Sequence, residues 1–211
     1  MSEDTKRRPI KERATGWARM LASGAAKLGL TPNQISILSV AISAVGFASF
    51  FDHQHRPLYF LVGGLCITAR LICNMIDGMV AVEYNRRSPS GEIYNELPDR
   101  ISDTFSLMGA AYACGWIQLG LWSSLAAILT AYIRTLSTSA GAPADFGGPM
   151  AKQQRMKALI AASVFSALAP QWSDRFFLGA LLLILVGSLA TSARRVTRAI
   201  GYLEGQAHER T

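Results

Sequence analysis

The sequence predicts an all-α integral membrane protein, with six transmembrane helices preceded by an amphipathic helix on the membrane surface. Three observations carry that prediction. Half of the residues are hydrophobic and only 17% are charged. The charges are gathered between long apolar runs, which is the pattern of a polytopic membrane chain rather than a soluble globule. The basic residues fall in alternate connections, as orientation in a membrane requires.

Residues 1–13 are polar and basic and read as a tail. From 14 to 28 the pattern turns helical: Trp17, Met20, Leu21 and Leu28 share one side, with Arg19, Ser23 and Lys27 elsewhere. Such a helix lies in the plane of the membrane surface. Residues 1–30 are thus tail and interfacial helix, 31–200 the membrane domain, and 201–211 a polar C-terminal tail. Thr31-Pro32-Asn33 is a helix-start signal, with Thr as cap and Pro in the first turn. The first span covers 33–51 and is uncharged from Ile35 onward. The D-H-Q-H-R-P loop that follows holds His53 and His55, an alternate-residue pair that reads as solvated rather than metal-binding. The second span covers 57–84, longer than the ~20 residues a bilayer needs, so its end projects into the headgroup zone. The third covers 94–117 and the fourth 121–139, with a tight uncharged turn at 118–120. A Gly- and Pro-rich loop at 140–151 precedes the fifth span at 154–169, which Pro170 ends. The sixth covers 176–193 and is followed by Arg194, Arg195 and Arg198.

The net charge of +7 and pI near 9.7 do not imply nucleic acid, because the basic residues flank apolar spans and suit anionic lipid headgroups. Cys66, Cys73 and Cys114 all lie inside apolar runs without a C-x-x-C pair, so neither a disulfide framework nor a zinc site is expected. No cleavable signal peptide is expected either. The N-terminal tail and the stretches 85–91, 140–157 and 194–211 hold most of the Lys and Arg. The connections at 52–56, 118–120 and 170–175 hold only Arg56 and Arg175. Basic connections face the cytoplasm, so both termini are expected inside, in the inner membrane.

The stretch from 74 to 99 stands out against this frame. Polar residues inside membrane-type sequence are costly and read as functional. Asn74 and Asp77 are three apart, Asp77 and Ala81 four apart, and Asn95 and Asp99 four apart, so each pair shares a helix face. Two such faces set opposite each other make an oxygen-rich pocket at the cytoplasmic membrane edge, suited to a hard cation such as Mg²⁺.

This stretch resembles the signature of the CDP-alcohol phosphotransferase family: D-x-x-D-G-x-x-A-R, about eight residues, then G-x-x-x-D-x-x-x-D. Asp77, Gly78, Ala81, Gly91 and Asp99 match in register; Asn74 and Asn95 stand where the family has acids, and Val82 where it has arginine. The resemblance implies a membrane transferase using Mg²⁺ or Mn²⁺. It would move a phosphatidyl or other phospho-alcohol group from a CDP-alcohol, foremost CDP-diacylglycerol, to a hydroxyl acceptor with release of CMP, in phospholipid biosynthesis. It implies a homodimer as well. It makes Asp77 a metal ligand and Asp99 a ligand or the catalytic base, with Asn74 and Asn95 at the other ligand positions. Gly78 and Ala81 would admit the nucleotide close to the helix, Gly91 would permit the loop turn, and Asn33 would lie near the nucleotide. Arg134 and Lys152, with Arg155 and Lys157, resemble a basic element that holds an acceptor phosphate. With two of four acids lost, one tightly held metal rather than two, or weak affinity, is expected. Glu92 and Asp103 share the face of Asn95 and Asp99 and are candidates to compensate, whereas Glu96 points about a quarter-turn away. Arg70 faces as Asn74 does, toward the pocket or a phosphate. The alternative is a catalytically impaired relative that binds lipid or nucleotide as a partner protein. A transporter is less well supported, for the chain has no internal repeat.

Overall fold

The computed structural model describes residues 11–51 and 57–208. The first ten residues, the 52–56 loop with His53, His55 and Arg56, and the last three residues lie outside the described residues. After a short 3-10 turn at Lys11–Ala14, the described residues form seven α-helices: α1 Gly16–Lys27, α2 Pro32–Ser49, α3 Leu58–Glu83, α4 Gly91–Cys114, α5 Ile117–Ser139, α6 Lys152–Leu168 and α7 Ser173–His208.

Helix α1 buries an alanine stripe, Ala18, Ala22 and Ala26, and packs against α3. The small methyl groups let the two helices approach closely. Trp17, Met20, Leu21 and Leu28 face outward, as a helix lying on a membrane surface presents them. Gly29, at φ 77°, lets the chain turn into α2. There Thr31 closes a reciprocal capping box: its hydroxyl accepts from Gln34 N–H at 3.2 Å, and the Gln34 side-chain oxygen Oε1 accepts from Thr31 N–H at 2.9 Å.

Helix α2 packs against both α3 and α4, α6 against α3 and α7, and α5 against α4 and α7. Phe50, just past the end of α2, locks three helices at once. Its buried ring fills the space above Gly63 of α3 and Gly109 of α4, where a Cβ would collide with it. It also meets the ring of Phe177 in α7 edge-on at 5.4 Å. At Gly46 the α2 backbone approaches Cys66 so closely that a Cβ would lie 2.7 Å from the cysteine Cβ.

Among the described residues, four segments are long and apolar enough to cross a membrane: α2, α3, α5 and Pro170–Gln206. Their outward faces carry exposed Leu38, Val45, Leu65, Leu121, Trp122, Leu125, Leu183 and Val186, an apolar coat suited to lipid. Charge separates α4 from these four, for it carries Glu92, Glu96, Asp99, Arg100 and Asp103; α6 is shorter, at 17 residues, and opens with Lys152, Arg155 and Lys157. The turn expected at 118–120 falls earlier. Helix α4 stops at Gly115, whose left-handed φ of 73° ends it, and α5 has begun by Ile117. Helix α7 continues past its apolar run to His208.

The Gly- and Pro-rich loop between α5 and α6 is tied to α7. Met150 N–H donates to the Thr191 hydroxyl at 3.0 Å, Arg195 Nε donates to the Gly147 carbonyl at 3.1 Å, and Arg198 pairs with Asp145 at 3.4 Å. Gly148, at φ 135°, lies so close to Thr191 that a Cβ there would overlap its side chain.

Candidate active site

The charged ends of α3, α4 and α6 and the first turn of α2 surround a cavity of about 600 Å³. Asn33, Asn74, Asp77, Gly78, Ala81, Gly91, Asn95, Asp99, Arg134 and Lys152 all line it. These residues come from five helices, α2 to α6, so their convergence is a product of the fold and not of sequence proximity.

Asp77 is buried in α3. The Ser36 hydroxyl of α2, 2.7 Å away, donates to its Oδ2. Asp99 is buried in α4, one residue after Pro98, which sits inside the helix and withdraws the backbone donor that the Tyr94 carbonyl would receive. Asp99 Oδ1 accepts from two nitrogens, the Asn74 amide Nδ2 and the Lys152 ammonium. Arg100 lies 3.4 Å from Asp99 Oδ2. Asp77 is within electrostatic reach of both Asp99 and Lys152, so the two carboxylates share one polar floor. Asn33 reaches across to Ser88 of the α3–α4 connection, donating from Nδ2 to its hydroxyl at 3.3 Å.

Three expectations change. Glu96, expected to point away, lines the cavity and pairs with Arg134 at 2.6 Å. Arg134 also lies over the Phe146 ring, 5.1 Å from its centre. The cavity subtends a wider arc of α4 than a single file of i, i+4 positions. Asp103, expected to compensate for a lost acid, is sunk beneath the site instead. It is paired with Arg70, and Arg155 Nη2 donates to its Oδ2 at 3.0 Å. Arg70, expected at the pocket, is completely buried in that pair and does not line the cavity. One turn along each helix is enough to move a side chain from the site to the core. Glu92 and Lys157 do line the cavity.

Sequence reasoning missed Ser36. Its one signal is spacing: it stands three residues after Asn33, on the same face of α2.

Among the described residues, six basic side chains line the cavity (Arg13, Arg86, Arg87, Arg134, Lys152, Lys157) against four acidic ones (Asp77, Glu92, Glu96, Asp99). That balance suits an anionic ligand. No group of three or more His, Cys, Asp or Glu gathers as a metal-binding cluster among the described residues. The oxygen donors at the floor are two carboxylates and two amides, a set that matches a hard cation completed by ligand phosphates rather than by a protein cage.

A family model for CDP-alcohol phosphatidyltransferase matches residues 29–193. Phosphatidylinositol phosphate synthase of Mycobacteroides abscessus is 27% identical over 184 residues, covering 83% of this chain and 80% of that protein. Inner membrane protein YnbA of Escherichia coli strain K12 is 28% identical over 149 residues, covering 68% and 71%. Among solved structures, Mycobacterium tuberculosis phosphatidylinositol phosphate synthase with manganese and citrate superposes with a TM-score of 0.72 at 20% identity, covering 86% of this chain and 88% of that one. The same enzyme with CDP-DAG bound gives a TM-score of 0.71 at 20% identity, covering 86% and 92%.

Proposed function

This chain belongs to the CDP-alcohol phosphatidyltransferase family, and on that premise we propose that it is an active transferase of phospholipid biosynthesis. It moves a phosphatidyl or other phospho-alcohol group from a CDP-alcohol, foremost CDP-diacylglycerol, to a hydroxyl acceptor and releases CMP. It works in the inner membrane as a homodimer, with both termini and the cavity on the cytoplasmic side. The observation that carries this reading is the meeting of Asp77, Asp99 and Lys152 in one predominantly basic cavity at the ends of apolar helices. A relative solved with CDP-DAG and one solved with manganese support the choice of donor and ion.

Asp77 and Asp99 are the two floor carboxylates from which a site for Mg²⁺ or Mn²⁺ would be drawn, with Asn74 and Asn95 beside them. The ion, when bound, supplies charge neutralisation at the diphosphate. The chain's own residues do the rest. Gly78 and Ala81 leave the α3 surface bare enough for the nucleotide to lie against it. Gly91 and Asn33 line the same cavity, and Arg134 and Lys152 supply positive charge there for the phosphates. As the acceptor oxygen bonds to phosphorus, the bond from phosphorus to the CMP oxygen breaks. The acceptor's proton passes to Asp99, whose orientation Asn74 and Lys152 fix from opposite helices.

The test is CMP release by the purified chain with Mg²⁺, CDP-diacylglycerol and a panel of alcohols. Asp99→Asn is expected to lower the rate at least ~10²-fold, the usual range for losing a positioned base. A second reading is favoured by one observation: Asn74 turns its amide nitrogen, not its oxygen, to Asp99. On that reading the chain is a catalytically impaired relative that binds lipid or nucleotide as a partner. CDP binding without CMP release from any acceptor would establish it and defeat the first.

A further inference from the structure

The floor of the cavity already holds a positive charge that belongs to the protein. Lys152, the first residue of α6, is only 5% exposed, and its ammonium is paired with Asp99 Oδ1. The same oxygen takes the Asn74 N–H, and the other carboxylate oxygen, Oδ2, has the Arg100 guanidinium 3.4 Å away. An oxygen that accepts from both an ammonium and an amide has its lone pairs committed. A divalent ion placed against it would also meet the ammonium's charge at contact distance, in a site too buried for salt to screen. Asp77 is differently furnished: the side chain that donates to it, Ser36, is a neutral hydroxyl.

We propose that Lys152 is the resident cation of Asp99, so that of the two carboxylates only Asp77 is open to a divalent ion. The cavity then takes one ion per chain, at Asp77, and the Lys152 ammonium provides the second positive charge facing a diphosphate. The two charges sit on different helices, α3 and α6, that pack against each other. This deepens the transferase reading and rests on it for the diphosphate, but the ion assignment is measured without turnover.

The experiment is Mn²⁺ binding followed by electron paramagnetic resonance on the full chain in detergent, with CDP as the nucleotide probe. The wild type is expected to bind one Mn²⁺ per chain in the presence of CDP, and Asp77→Asn to lose it. Asp99→Asn is expected to keep Mn²⁺ affinity within about three-fold of wild type, because Asp99 is not a ligand, even though CMP release falls. Lys152→Gln releases Asp99 and is expected to add a second Mn²⁺ or to tighten binding about ten-fold or more, whereas Lys152→Arg leaves the count at one. Loss of affinity beyond about three-fold in Asp99→Asn, two ions in the wild type, or no gain in Lys152→Gln would each overturn the proposal. If Lys152→Gln does not purify as a monodisperse protein, the Asp77→Asn and Asp99→Asn pair decides alone. Failure of the transferase reading looks different: no CMP release from wild type, with ion binding unchanged.

Discussion

At the scale of single residues, Ser36 shows how a neutral side chain serves a charged one. Its hydroxyl is the side-chain donor to Asp77 Oδ2, and both groups are buried. A hydrogen bond to a charged group contributes about 1.5–3 kcal/mol. Ser36→Ala is therefore expected to lower kcat/KM for CMP release about ten-fold or more while leaving detergent solubility and helix content unchanged. Circular dichroism beside the CMP assay checks both halves. The same scale shows what a sequence can and cannot say. Asp77, Asp99 and the residues spaced around them were legible because helix periodicity assigns faces. The partner of each face was not legible, because partners depend on how far one helix slides along another. Arg70 and Asn74 share a face of α3, yet one is in the core with Asp103 and the other touches Asp99.

At the scale of elements, two joints hold the bundle. The first is ionic: Asp103 of α4 lies between Arg70 of α3 and Arg155 of α6, and Arg155 also donates to the Met150 carbonyl at 3.0 Å. Removing the carboxylate strands two buried guanidinium groups. Asp103→Ala is expected to cost about 3–5 kcal/mol, visible as a large fall in thermal unfolding temperature in detergent. The second joint is steric. Phe50 occupies the gaps left by Gly63 and Gly109, so either glycine changed to alanine overpacks the joint. Gly109→Ala is expected to cost about 1–3 kcal/mol in the same assay, and Phe50→Leu in that background to recover part of it. Helix extents were legible to within a few residues because apolar runs and caps such as Thr31 mark them. The α4–α5 turn was misplaced by a few residues because the pattern of charges gives no signal there. The left-handed Gly115 marks it instead.

At the scale of the whole molecule, the proposed orientation, read from the charge pattern of the connections, can be measured. With the native cysteines replaced by alanine, a cysteine at Gln118 is expected to react with a membrane-impermeant maleimide in intact spheroplasts. One at Gly141 is expected to react only after permeabilisation. Both positions are exposed in the fold. Equal labelling of the two before permeabilisation would contradict an orientation with both termini inside. The amphipathic α1 belongs to the same frame: it docks on α3 through alanines and offers its large apolar side chains to the membrane surface.

The ties between the α5–α6 loop and α7 reach further than the loop itself. Lys152 begins where that loop ends, and Met150, two residues earlier, is pinned to Thr191. Among the described residues, none that lines the cavity comes from α7. The last helix is thus a remote anchor that sets how far the lysine can extend toward its carboxylate, much as a guy rope trims a mast it does not touch. Selection for altered turnover would find variants on that helix as readily as beside the chemistry.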